Sequence, residues 1–518
     1  MDKKRKILIL IALGLAIFVV VLDTGLMNIA IRAIIDDLNT TAQTIQSMIT
    51  IYSLVMAMFT LIGARLGDII GRKNIFIIGT ILFGTGALIA TFAPSVTYLM
   101  IGWSIIEGIG ASLMMPATLS LIASEFEKKD LALGLGIWGG ISALGAALGP
   151  IIGGFLTEKF TWRLAFFIEV IPIIIIILLS PEIPEKHNYT RAKSLDIKGS
   201  LYSALGLGTL VYAILNANKF GWITALNKNY EIFHFSITFW LILLSFCFIY
   251  LFARTELQCE KNNCSPLIEL SIFRNKSFTI STTIALLVNL AEAGALFIIP
   301  LFLIIYRGYT PIQLSISLIP LMIAVFIMSL YGSRFVKYKK LVVIAGLSIT
   351  TISAYWLSTN ISPTTTIDSM WRGLLLLGIG IGLIMSQLTN ITISSVSVDE
   401  ASEASGLNST LRNLGTSLGT AIIGTILFGA LNTTLLQDLK ANPLIPPTVR
   451  TKLITQIKEN KDTQVLKTMQ KHSKESGQIK LILDNSFVLA TQKALNVTVG
   501  FLALSTTLAL FLPSRKEN

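Results

Sequence analysis

Four ionisable side chains stand where few are tolerated: Asp23, Glu107, Glu292 and Arg412 each fall inside a long apolar run. A carboxylate deep in a bilayer is costly unless it is paired, protonated or wetted, so its default reading is functional. Burial favours the neutral form of a carboxyl, which a proton carrier needs. A cation entering the same cavity would favour the ionised form and expel the proton, coupling cargo to a proton gradient. At 1.5 Å per residue, Asp23 lies roughly 24 Å along the first run, Glu107 roughly 15 Å along the fourth and Glu292 roughly 22 Å along the ninth. Glu169 sits near the outer end of the sixth run, within reach of water. Arg412, flanked by Asn408 and Asn413, is placed to be a counter-ion to a carboxylate, to bind an anionic group or to snorkel to the inner face. The plain alternative for each acid is a static buried pair, for example with Arg412. Lys493 reads as snorkelling, and Trp103 and Trp138 as candidates to line the cavity.

The elements that carry these groups follow from composition. The chain has 518 residues, 53% of them hydrophobic and 14% charged, with a mean hydropathy of +0.72. A soluble protein could not hide so much apolar surface, so most of the chain belongs in lipid. Apolar runs long enough to span occur at about 8–33, 45–66, 75–93, 97–122, 132–157, 163–180, 199–216, 235–253, 278–306, 312–332, 341–358, 370–394, 406–431 and 488–512. The first is read as a retained helix, since no small-residue cleavage site follows it. The net charge of +12 resides in loops, with no basic stripe interleaved with aromatics, so nucleic acid is not an expected partner. Basic residues such as Lys3–Lys6, Arg72 and Lys73, Lys128 and Lys129, and Arg334 crowd alternate loops, which puts both termini in the cytoplasm. Of the three cysteines, Cys247 is expected to be packed in its run, and Cys259 and Cys264 to be free thiols.

One stretch occurs twice. Gly108-Ile-Gly-Ala-Ser-Leu-Met-Met-Pro116 is echoed by Gly378-Ile-Gly-Ile-Gly-Leu-Ile-Met-Ser386. Each copy precedes a short acidic loop and a glycine-rich helix. The copies sit eight spans apart in the same orientation. That separation predicts two parallel six-span halves, 1–185 and 277–518, with two spans inserted at 186–276. A polar, lysine-rich segment at about 432–487 has apolar residues at helical spacing (Val449, Leu453, Ile457; Val465, Leu466, Met469), which predicts amphipathic helices in a long outer loop.

Gly63-Ala-Arg-Leu-Gly-Asp-Ile-Ile-Gly-Arg-Lys73 joins spans 2 and 3. Its Gly63, Gly67 and Gly71 allow a tight turn and close helix approach, while Asp68 and Arg72 can form a charge latch. Span 5 carries Gly145, Gly149-Pro150, Gly153 and Gly154, a small-residue face broken by a proline. The first segment resembles the signature loop of the major facilitator superfamily, and the second resembles the antiporter motif of its drug exporters. Leu22-Asp-Thr-Gly-Leu-Met-Asn-Ile-Ala30 is similar to the first-helix motif of the fourteen-span drug:proton antiporter branch, and Trp162-Arg163 with the residues up to Pro172 is similar to that branch at the start of span 6. Members carry a basic residue in span 4 where this chain has Ser104.

The resemblance implies an all-α integral membrane protein of major facilitator fold, with fourteen helices arranged 6+2+6. It implies proton-coupled export of amphipathic drugs or toxic compounds across the plasma membrane by a monomer, and the membrane carboxylates point to cationic ones. The other readings are an exporter of lipid or an endogenous metabolite on the same fold, and a non-transporting receptor or scaffold. No phosphate-binding glycine loop, metal-ligand spacing or catalytic triad is present. An ion gradient is therefore the expected energy source, with no metal, no cofactor and no enzyme activity.

Overall fold

The computed structural model describes residues 3–126, 128–184, 196–262, 266–396, 401–441, 445, 447–458 and 477–513. Fourteen of its helices are long and apolar enough to cross a membrane. They are α1 (Lys4–Asp37), α2 (Ala42–Gly67), α3 (Arg72–Thr91), α4 (Val96–Ile122), α5 (Ile137–Lys159), α6 (Trp162–Glu182), α7 (Ile197–Leu215), α8 (Ile237–Lys261), α9 (Lys276–Tyr306), α10 (Pro311–Gly332), α11 (Lys339–Asn360), α12 (Ile367–Ser394), α13 (Ala404–Ala441) and α14 (Ile479–Ala509). Several helix starts carry side-chain caps that satisfy orphan N–H groups. Thr41 accepts from Thr44 N, Asp196 from Gly199 N and Asn275 from Ser277 N, while Thr366 and Ser369 form a reciprocal capping box.

Glycines set how the helices pack, and they do so twice. A Cβ on Gly110 of α4 would fall 2.3 Å from Phe83 N and 2.8 Å from Gly79 O of α3. Its echo Gly380 in α12 meets α11 in the same way, 2.1 Å from Thr350 Oγ1 and 2.7 Å from Gly346 O. Gly108 faces Tyr52 and Val55 of α2, and Gly378 faces Leu321 and Ala324 of α10. Gly145, Gly149 and Gly153 of α5 lie on Phe18, Leu22 and Leu26 of α1, as Gly415 and Gly419 of α13 lie on Leu286 and Leu290 of α9. Spans α1–α6 thus repeat as α9–α14. In a bilayer, where apolar burial does not drive association, such close backbone approach supplies much of the helix–helix attraction.

The halves meet along α2 and α13. Gln46 Nε2 donates to Thr420 O at 2.8 Å, Thr50 and Thr420 hydroxyls lie 2.9 Å apart, and Ser417 Oγ donates to Thr50 O at 3.1 Å. A second seam joins α5 and α10, where Ser315 Oγ donates to Pro150 O at 2.5 Å and Gly154 abuts Ser315 and Pro311. The pair α7–α8 packs on itself and beside the first seam, with Asn218 Nδ2 donating to Thr425 O at 2.7 Å. The outer side of α8 remains apolar and exposed at Leu243, Phe246 and Tyr250. Cys247 is exposed there rather than packed, because α8 presents most of its circumference outward.

Two boundaries differ from the sequence reading. The helix of α13 runs unbroken from Ala401 to Ala441, and that of α14 starts at Gly477, so both ends of the supposed outer loop are helical. Between them a helix at Pro447–Lys458 buries Leu453, as its periodicity predicts. Val465, Leu466 and Met469 lie outside the described residues. Helix α5 continues through Pro150, whose carbonyl serves the inter-half seam.

Candidate functional site

Three acids converge inside the first half. Asp23 comes from α1, Glu107 from α4 and Glu169 from α6. One carboxyl oxygen from each lies within 4.8 Å of one from each of the others. All three residues are 0% exposed. This corrects the placement of Glu169, which does not reach water. Span α6 is broken between Phe167 and Val170, and its start is tied to the end of α1. Trp162 Nε1 donates to Asp37 Oδ2 at 3.0 Å, and the Arg163 guanidinium pairs with the same carboxylate. That latch holds α6 against α1 and brings Glu169 beside Asp23.

The surroundings of the acids are mostly aromatic and short of donors. Trp103 Nε1 donates to Asp23 Oδ1 at 2.7 Å. Tyr52 stacks on Trp103 with ring centres 4.9 Å apart and planes at 4°, and its hydroxyl lies beside Asp23. Phe166 closes another side, edge-on to Trp103. Trp103, Ser104 and Glu107 share a π-helical stretch, Met100–Glu107, a deviation from α-geometry found often at functional sites. Gly86 of α3 lets this stretch approach: a Cβ there would fall 2.6 Å from both Glu107 N and Gly102 O.

Among the described residues, Asp23 Oδ2, both oxygens of Glu107 and of Glu169, and Ser104 Oγ have no hydrogen-bond partner. None of the three acids forms an ion pair there. Three adjacent carboxylates without a base cannot all stay ionised. A proton placed between Glu107 and Glu169 would turn two orphan acceptors into a donor and an acceptor. The same spacing would also admit one small, hard cation held by oxygen ligands.

Glu292 and Arg412 do not join this cluster. They lie in the second half, on α9 and α13, close enough to attract one another but not bridged within 4.0 Å. The static ion pair that the sequence allowed is therefore not formed. Glu292 keeps some accessible surface and lies beside a small apolar cavity of about 20 Å³, the size of one water molecule. Lys493 lies midway along α14, its side chain exposed. Trp103 belongs to the acid cluster, while Trp138 Nε1 is buried without a partner.

The signature loop takes the turn its glycines predict. Gly71 adopts φ 102°, which a side chain would oppose, and separates the helix Ala42–Ile70 from α3. Gly63 abuts Ser112 and Leu113 of α4, Gly67 abuts Ile75 and Arg72, and Arg72 reaches Ser120 O at 3.4 Å. The side chain of Asp68 lies outside the described residues.

Sequence reasoning named Asp23, Glu107 and Trp103 separately but did not join them. Tyr52 carried no signal at all. Glu169 could have been found by giving every intramembrane acid equal weight whatever its depth.

A family model described as Major Facilitator Superfamily matches residues 13–420. The chain is 27% identical over 457 residues to multidrug resistance protein Stp of Mycobacterium tuberculosis strain H37Rv, covering 88% of this chain and 81% of that protein. It is 27% identical to the tetracenomycin C resistance and export protein of Streptomyces glaucescens, covering 81% and 75%. It is 28% identical to the puromycin resistance protein pur8 of Streptomyces alboniger, covering 81% and 82%. Its fold is similar to that of a bacterial homologue of the human lysosomal transporter Spinster in an inward-facing, unoccupied conformation, with TM-score 0.64 at 14% identity over 99% of this chain and 98% of that one.

Proposed function

The chain belongs to the Major Facilitator Superfamily, and from that premise we propose that it exports amphipathic, cationic drugs or toxic compounds in exchange for protons, its two halves alternating access to the cargo site. It is a membrane transporter rather than an enzyme. The relatives named for drug resistance and export support the cargo class.

The observation that carries proton coupling is the sealed cluster of Asp23, Glu107 and Glu169, with orphan oxygens and no base among the described residues. Protons are the occupants that satisfy its hydrogen bonds. Because the cluster is closed to solvent, cargo and protons need not meet there. Coupling then runs through rearrangement of α1, α4 and α6, which open the cluster to one side or the other. The protein works as a monomer in the plasma membrane with both termini in the cytoplasm, as the basic loops favour. The test uses purified protein in sealed proteoliposomes containing a pH-sensitive dye. Adding a cationic drug is expected to drive protons across. A drug that moves with no accompanying proton flux sinks the reading.

A further inference from the structure

We propose that the start of α6, Trp162–Phe167, is a hinged lid that closes the acid cluster from the outer side, with Arg163 as its latch. This deepens the proton-coupling reading above and rests on it. Asp23, Glu107 and Glu169 all lie within the first half, so parting of the halves does not by itself uncover them. An element inside that half must move to admit a proton.

Helical spacing puts the lid over the acid. Trp162, Phe166 and Glu169 stand at i, i+4 and i+7, which is one face of a helix. At 1.5 Å per residue, Glu169 lies roughly 10 Å along α6 from Trp162. On the orientation that the basic loops favour, Trp162 is at the outer end. The two aromatics thus fill the short way from outer water to the acid. Trp162 meets Phe166 edge-on with ring centres 5.9 Å apart, and Phe166 meets Trp103 edge-on at 6.4 Å. All three rings are buried. Both indole N–H groups are committed, that of Trp162 to Asp37 and that of Trp103 to Asp23. One end of the aromatic row is therefore tied to the latch and the other to the acids.

The two ends of the segment allow it to swing. At the outer end Arg163 ties α6 to two other elements. Its guanidinium pairs with Asp37 at the end of α1, its Nη2 donates to Ala93 O beyond α3 at 2.9 Å, and it lies 4.3 Å over the Trp162 ring. Arg163 and Asp37 are both partly exposed, so water competes for the pair. At the inner end the ladder tightens to three-residue bonds, Glu169 N to Phe166 O at 3.2 Å and Ile171 N to Ile168 O at 3.3 Å. The break falls on Glu169 itself. Swinging there with the latch released lifts Phe166 off Trp103 and turns the Glu169 carboxyl toward water, while Asp23 stays held by Trp103.

The test reads access to position 169 in the full-length protein, with E169C placed in a background without native cysteines. The probe is a membrane-impermeant methanethiosulfonate reagent applied to right-side-out membrane vesicles. R163A is expected to speed labelling about tenfold or more, since a charged hydrogen bond, a carbonyl bond and a ring contact are lost together. D37A should act in the same direction, and the charge-exchanged pair D37R/R163D should return to the slow rate. In inverted vesicles the same latch variants should leave the rate unchanged. Outer rates unaffected by both R163A and D37A, or rates raised equally from the two sides, overturn the lid. A second measurement keeps Glu169 in place. D37C/R163C bridged by a short bis-methanethiosulfonate reagent should lose accumulation driven by a pH gradient, keep exchange of labelled for unlabelled cargo, and recover on reduction. Full gradient-driven transport by the bridged protein also overturns the lid. Latch-dependent labelling in a protein whose cargo moves without protons would sink the coupling reading and leave the lid standing.

Discussion

The indole N–H of Trp103 donates to Asp23 Oδ1 at 2.7 Å, one helical turn from Glu107 on the same π-helical stretch. Asp23 therefore has one fixed donor on one oxygen, while its other oxygen has no hydrogen-bond partner among the described residues and the carboxyl lies beside two more acids. A hydrogen bond to a charged group is worth about 1.5–3 kcal/mol. W103F keeps the aromatic packing and removes the donor, so gradient-driven efflux should fall roughly ten- to a hundredfold with protein levels unchanged. Efflux of a fluorescent cation from proteoliposomes measures this, and a W103F rate equal to that of the unaltered protein would show the bond to be idle.

D23N, E107Q and E169Q each remove one exchangeable proton while keeping side-chain volume. Each is expected to abolish accumulation driven by a pH gradient, yet to retain exchange of labelled for unlabelled cargo across the membrane. Loss of both activities would point to misfolding. Retention of full gradient-driven transport in all three would remove the cluster from the mechanism.

The meeting of these acids shows where sequence reading stops. The spans were legible from hydropathy, and the paired glycine stretches at Gly108 and Gly378 announced the repeat, because backbone contact demands glycine in the same register of both halves. The signature loop was legible too, since Gly71 must turn with positive φ. Which acids touch was not. Spans α1, α4 and α6 are not consecutive, and Glu169 owes its position to a helix break and the Asp37 latch, neither of which leaves a periodic trace.

Packing at the matched glycines can be tested by contrast. G110V and G380V place side chains against backbone or hydroxyl atoms nearer than 2.5 Å, and each should cost at least about 1–3 kcal/mol of stability. G139A, where nothing lies within 4 Å of the new Cβ, should be neutral. Thermal unfolding in detergent, followed by size-exclusion profile, ranks them. Equal midpoints for G110V and G139A would contradict the close approach of α3 and α4.

G71A forces a side chain into φ 102°, at a cost of roughly 1–2 kcal/mol. The expected result is a midpoint lowered by a few degrees and slower transport, because the turn between α2 and α3 must be held through each cycle. A G71A protein as stable and as fast as the original would mean that the turn relaxes to another conformation.

A cysteine pair at Thr50 and Thr420, in a background without native cysteines, tests motion at the first seam. Their hydroxyls lie 2.9 Å apart, so oxidation should join α2 to α13 and halt transport, with recovery on reduction. Undiminished transport by the fully oxidised protein would show that the halves do not separate there.

The seam of Gln46, Thr50, Ser417 and Thr420 is made of amide and hydroxyl groups meeting backbone or one another. Within a bilayer such bonds average about 0.6 kcal/mol each. A join of this kind yields to thermal agitation and re-forms without needing a partner ion or a particular ionic strength. In the proposed cycle the energy barrier would then fall on the acids and on the cargo rather than on the strength of the join.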